Sequence, residues 1–177
     1  MNVHHCELPL TKELIKNFKA GDLVYLSGTV LTARDAAHKR LNEEIINSTC
    51  TLNLSNQTIY YVGPTETPDN NPIGSAGPTT STRMDKLSPL LFENGLVATI
   101  GKGDRSQEFI DLCVKHSVVY LVATGGVGAL LATKIKELEV IKYKDLGTES
   151  IKRLKLESFP VFVGYDINGN SLFSRDI

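Results

Sequence analysis

Four times along this chain an apolar, β-branched run stops at a polar or glycine-rich turn. The runs cover residues 23–31, 58–62, 96–100 and 117–123. The turns they lead into carry Thr32-Ala33-Arg34, the 77–83 stretch, Gly101-Lys102-Gly103, and the 124–128 stretch. Near-continuous apolar runs of this kind are strands buried on both faces, and helical patterns between them indicate an α/β fold. Turns at the carboxyl ends of such strands are where α/β folds gather ligand-binding groups. Three of the four turns bring a cation: Arg34, Arg83 and Lys102.

The richest turn is Gly74-Ser-Ala-Gly-Pro-Thr-Thr-Ser-Thr-Arg-Met-Asp85. Its glycines allow close approach of backbone to a ligand. Four consecutive hydroxyls, on Thr79, Thr80, Ser81 and Thr82, offer hydrogen bonds, and Arg83 adds a planar fork suited to a carboxylate. A small anion is the expected ligand. An ordinary capped loop, with Ser81 or Thr82 closing a helix, accounts for the same residues equally well.

The remaining elements follow from local pattern. Residues 5–10 read as a short strand and 11–19 as polar turns. Thr32 and Asp35 have capping-box spacing, so a helix is expected from there to about Ile46, with Arg34 in its first turn. His38 lies four residues after Arg34, on the same helical face. Residues 47–57 read as irregular, and 63–72 as a long turn-rich loop. Residues 84–93 read as a helix stopped by Asn94-Gly95, and 106–116 as a helix capped by Asp104. Residues 140–143 and parts of 153–173 are strand candidates, with a hairpin of 158–164 and 166–173 around Asn168-Gly169. Gly126-x-Gly128 begins a dinucleotide fingerprint, but Leu131 stands at its third glycine, which argues against a nucleotide.

Composition removes several functions. At 177 residues the chain fits one domain, and a net charge of −1 gives no bulk attraction to nucleic acid or an acidic membrane. No apolar stretch reaches the length of a membrane span, and the first residues lack a secretion signal. Cys6, Cys50 and Cys113 are widely separated and odd in number, which suits a reducing cytoplasm and no disulfide framework. No Cys-x-x-Cys occurs, so no zinc or iron–sulfur site within the chain is expected. His4, His5 and Cys6 are adjacent, but neighbours on a strand point to opposite faces, which favours a plain terminal strand over a metal site.

Thr32-Ala-Arg-Asp-Ala-Ala-His-Lys-Arg, Gly77-Pro-Thr-Thr-Ser-Thr-Arg-Met-Asp, Gly101-Lys-Gly and Ala123-Thr-Gly-Gly together resemble the β subunit of class I, iron–sulfur-dependent fumarate hydratases and L-tartrate dehydratases. In single-chain members the same unit is the C-terminal domain. The resemblance runs from about residue 4 to the C-terminal hairpin, nearly the whole chain. It implies a single domain over 1–177 with a swivelling β/β/α fold and a mixed sheet core. It also implies a separate α subunit holding a 4Fe–4S cluster whose open iron acts as Lewis acid, no metal on this chain, and a heteromer such as α2β2. By motif, the resemblance makes Thr79 the catalytic hydroxyl. It assigns substrate binding to Arg34, to Thr79, Thr80, Ser81, Thr82 and Arg83, and to Lys102. Asp35 and His38 would order Arg34 from behind, or only cap and pack the helix. The implied reaction is reversible hydration or dehydration of a four-carbon dicarboxylate, and the motifs do not separate fumarate/malate from tartrate/oxaloacetate. A non-catalytic anion-binding or interaction domain is the alternative.

Overall fold

The computed structural model describes residues 1–65, 71–124 and 127–174. Its frame is a mixed sheet closed upon itself. Strands β1 (Val3–Glu7), β2 (Leu23–Thr32), β3 (Thr58–Tyr60), β4 (Ala98–Gly101) and β5 (Val119–Val122) run parallel in that order. The long β7 (Ile151–Tyr165) is antiparallel to them and pairs with both β5 and β2. The circuit β2–β3–β4–β5–β7–β2 therefore has a barrel-like core. The short β6 (Ile135–Lys142) pairs with the first half of β7. The expected α/β class with a mixed sheet is what the chain adopts.

Side-chain alternation explains why both sheet faces are buried. Tyr60, Val62, Val119 and Leu121 point to one apolar cluster with Leu26, Val30, Leu154 and Phe159. Ile59, Tyr61 and Tyr120 point to a second cluster, where α2 (Asp35–Ile46), α3 (Pro89–Glu93) and α4 (Gln107–His116) supply Leu41, Leu91 and Phe109. The two short helices α1 (Lys12–Ile15) and α5 (Gly128–Ala132) complete the set. Asp22 anchors β1: its carboxylate accepts from Asn2 N at 2.7 Å and Lys19 N at 3.1 Å, and lies 3.0 Å from His4 Nε2. His5 stacks on Tyr25, so the two histidines are both engaged and face apart.

Several local expectations are corrected. Thr32 does not cap α2. It ends β2, where its hydroxyl contacts Ser150 O and accepts from Lys152 N at 3.0 Å, tying β2 to β7. Arg34 takes the N-cap position without a side-chain cap. The helix expected over 84–93 divides into a 3₁₀ segment, Ser81–Leu87, and α3, because Pro89 has no N–H to continue the ladder. Ser106, not Asp104, caps α4, accepting from Phe109 N at 3.2 Å. The hairpin over 158–173 is reduced to a turn and a single bridge, Tyr165 to Ser171. The edges of β7 are already occupied by β2, β5 and β6, leaving no room for a second limb.

Candidate functional site

The carboxyl ends of β2, β3 and β4 lie side by side, and each continues into a different part of the site. Beyond β2, Ala33 N still bonds Tyr60 O, and Arg34 then turns the chain into α2. Beyond β3, Tyr61 N bonds Ile100 O, and Tyr61 O in turn accepts from Thr79 N at 2.8 Å. That last bond carries the glycine-rich stretch back across the strand ends. Beyond β4, Lys102 forms a parallel bridge with Thr80. Three distant segments thus meet at one sheet edge.

Thr79, Arg83 and Asp35 form a chain of contacts. Arg83 Nη2 donates to Thr79 Oγ1 at 2.8 Å, and Arg83 Nε lies 3.3 Å from Asp35 Oδ1. Asp35 therefore pairs with Arg83, a partner other than the Arg34 contact or the plain helix cap expected for it. Because a guanidinium only donates, Arg83 stabilises electron density on the threonine oxygen.

Arg34 is held differently. Its side chain lies over Gly63, where a Cβ would come within 3.0 Å of Nη1 and 3.3 Å of Thr148 O. Glu149, from the 3₁₀ segment Lys144–Glu149, stands 4.0 Å from Arg34 Nε and also accepts from Ala36 N at 3.4 Å. Glu149 thus adds a second anion, beside Asp35, at the first turn of α2. Among the described residues Arg34 Nε is buried without a hydrogen-bond acceptor, with the Glu149 carboxylate 4.0 Å away.

His38 is fully buried beneath this corner, its ring 5.5 Å from Tyr61. Its Nδ1 lies 2.8 Å from Arg34 O, an atom that only accepts, so Nδ1 carries the proton. The residue fixes the N-cap carbonyl and packs the helix. Burial is the main influence on its pKa, which is lowered to about 4 with help from Arg105 and against the Arg34 carbonyl and Asp35. The unfolded chain would take up that proton near pH 6.5, the folded one only near pH 4. The contribution of His38 to stability is therefore complete above pH 6.5 and is lost as the pH drops toward 4, by on the order of 3 kcal/mol. A His38→Gln protein should show a flatter Tm-against-pH curve in that window. Equal slopes in the two proteins would contradict the assignment.

The four hydroxyls separate. Thr79 is half-buried against Arg83, and Thr80 and Thr82 are exposed. Thr80 sits at the N-cap of the 3₁₀ segment but makes no capping bond. Thr82 and Arg83 line a cavity of about 760 Å³ with Asp85, Arg105 and Leu112. Ser81 departs from expectation: it is fully buried, and its Oγ accepts from Lys102 N at 2.9 Å. Its hydroxyl is spent inside the protein, so it is not free for direct contact with a substrate. Of the 124–128 turn, Gly125 and Gly126 lie outside the described residues. Gly128 packs on the Ser75 side chain and the Gly77 backbone, with Ala76 N bonded to Gly128 O at 3.1 Å.

Sequence reasoning missed one buried ion pair. Arg105 Nε donates to Asp85 Oδ1 at 2.6 Å, and Ser106 N donates to Asp85 Oδ2 at 2.9 Å. The Arg105 guanidinium packs against the Phe109 ring at 3.4 Å. The pair locks the 3₁₀ segment to the start of α4. Asp85 closes the glycine-rich motif and Arg105 follows Gly103-Asp104, but no spacing rule links residues twenty apart.

The described residues do not suit an iron–sulfur cluster. Among the described residues no three His, Cys, Asp or Glu side chains gather to hold a metal. Cys6 and Cys113 are buried and Cys50 is half-buried, all as free thiols, and burial pushes the Cys113 thiol up to about 12. Such a thiol resists becoming the thiolate that cluster iron needs. No helix among the described residues is long and apolar enough to cross a membrane.

Comparison with known proteins bears on the family of the chain. A family model described as "Fumarase C-terminus" matches residues 1–176. The aerobic class I fumarate hydratase of Escherichia coli (strain K12) is 40% identical over 153 residues, 85% of this chain and 28% of that protein. Fumarate hydratase 2 of Leishmania major is 35% identical over 169 residues, 94% of this chain and 30% of that protein. The putative L(+)-tartrate dehydratase subunit beta of Methanocaldococcus jannaschii is 36% identical over 173 residues, 94% of this chain and 89% of that protein. The chain thus spans under a third of the two fumarate hydratases and most of the tartrate dehydratase subunit. With its motifs at one sheet edge and a match along nearly its whole length, the chain belongs to the fumarase C-terminus family.

Proposed function

We propose that this chain is the substrate-orienting subunit of a cytoplasmic hydro-lyase acting on a four-carbon dicarboxylate, fumarate/malate or L-tartrate/oxaloacetate. The reading rests on the contact chain Asp35–Arg83–Thr79, set at one sheet edge with the turns that carry Arg34 and Lys102. Three cations match two carboxylates and the charge that develops between them in the transition state. Asp35 and Glu149 hold two of these cations in place before substrate arrives, so less reorganisation is needed on binding.

Thr79 is the group in this chain that handles a proton at the reacting carbon. Unaided, a threonine hydroxyl is a poor base. The hydrogen bond from Arg83 lowers the cost of the deprotonated oxygen. That form accepts a proton from carbon in dehydration and remains after giving one up in hydration. Thr80 and Thr82, exposed beside it, are further contacts for the substrate carboxylates. The 4Fe–4S cluster implied by the family resemblance belongs to an α partner in this reading, in a complex such as α2β2.

Arg34 offers the direct test. Arg34→Lys keeps the charge and loses the bidentate fork, and should cost roughly 2–4 kcal/mol in kcat/KM of the assembled enzyme. An unchanged kcat/KM would show Arg34 to be an ordinary charge at a helix start.

A further inference from the structure

The turn that carries Lys102 is gripped from both sides by fully buried groups, Ser81, Tyr61 and Tyr120. Gly101 lies directly beneath Ser81: a Cβ there would stand 1.9 Å from Ser81 Oγ and 2.9 Å from Tyr61 Cδ2. The serine hydroxyl is thereby seated over the strand end, where it accepts from Lys102 N at 2.9 Å. On its other side is Tyr120, from the middle of β5, whose hydroxyl lies 3.1 Å from Ser81 Oγ and 3.0 Å from Gly103 O.

Tyr120 has one phenolic proton, and Gly103 O can only accept, so the phenol donates to Gly103. The Ser81 hydroxyl then donates to the phenolic oxygen while accepting from Lys102 N. Burial pushes the Tyr120 phenol up to about 12, so it keeps its proton at neutral pH. Its ring is fixed by stacking on Tyr165 at 5.6 Å and an edge contact with Phe109 at 6.0 Å. A rigid aromatic post thus holds the Lys102 N–H through Ser81 and the Gly103 carbonyl directly.

We propose that Tyr120 is a positioning residue for Lys102, acting through Ser81 to set the Gly101–Gly103 turn against the loop that carries Thr79 and Arg83. The inference rests on the reading of Lys102 as a carboxylate-binding cation. It gives Ser81 a part that its burial allows, in place of direct substrate contact. It also explains why the hydroxyl run contains a buried member: Ser81 joins two substrate-binding turns into one unit.

The test is a double-mutant cycle on the assembled enzyme with Tyr120→Phe, Lys102→Met and the combination. Tyr120→Phe keeps the ring and its stacking, so the protein should fold. Loss of the bridging oxygen should raise the dicarboxylate KM about fivefold with kcat nearly unchanged, the yield of one hydrogen bond acting on a binding group. In the Lys102→Met background the same substitution should leave KM unmoved, because the group it positions is gone. An equal KM increase in both backgrounds would overturn the inference, as would a lowered Tm with KM unchanged. A Lys102→Met enzyme with wild-type KM would remove the carboxylate role of Lys102 itself, and the inference with it. That outcome is distinct from additivity, which removes the inference alone.

Discussion

Thr79→Val should lower kcat of the assembled enzyme by roughly 10²- to 10⁴-fold, the range spanned by loss of a positioned proton-transfer group. KM should change far less. Valine keeps the branched shape, so the backbone bond from Thr79 N to Tyr61 O and the course of the loop are preserved. What disappears is the oxygen that accepts from Arg83. Thr79→Ser retains that oxygen and should keep part of the activity. Thr80 is the internal control, since it is adjacent, chemically identical, and makes no capping hydrogen bond. Thr80→Val should therefore leave Tm nearly unchanged and affect kcat only weakly. If Thr79→Val keeps full kcat, or if only Thr80→Val abolishes it, the reacting hydroxyl has been misassigned. If both variants merely raise KM, the loop is a carboxylate cradle and proton transfer belongs wholly to the partner.

A related substitution bears on the mechanism. Arg83 touches both Thr79 and Asp35, so its loss would combine weaker carboxylate binding with a less acidic Thr79. Arg83 variants alone cannot divide those effects. The Thr79 series can, because it leaves the guanidinium and its contact with Asp35 in place.

Much of the frame could be read from the chain. The four apolar runs appear as β2, β3, β4 and β5, shortened or extended by a few residues, and α2 ends at Ile46 as its pattern indicated. Their turns converge because parallel strands all deliver their carboxyl ends to one edge. The closing strand was not legible. Hydrophobic alternation in 151–165 reports which face is buried, but not that this strand would pair with β2, β5 and β6. Thr32 shows the same limit in one residue. Its spacing from Asp35 fits a capping box, yet bonds to Ser150 and Lys152, more than a hundred residues away, claim its hydroxyl. Ser81 was drawn into the binding set by its neighbours, while its actual partners come from β5 and the Lys102 turn. Local rules identify residue types suited to a task, and long-range packing decides which of them remain free to perform it.

The proposed site is divided between two subunits. In the proposed reading the groups that hold and protonate a dicarboxylate lie on this chain, and among the described residues no three His, Cys, Asp or Glu side chains gather to hold a metal. Activity should therefore be all-or-none with respect to the partner. The decisive measurement is steady-state turnover of fumarate and L-tartrate under anaerobic conditions, by the chain alone and after co-expression with an α subunit carrying the cluster. The account predicts no turnover by the folded, metal-free chain and hydro-lyase activity on at least one of the two substrates in the complex. Appreciable turnover by the isolated chain would contradict it, and so would a complex with an intact cluster that turns over neither substrate.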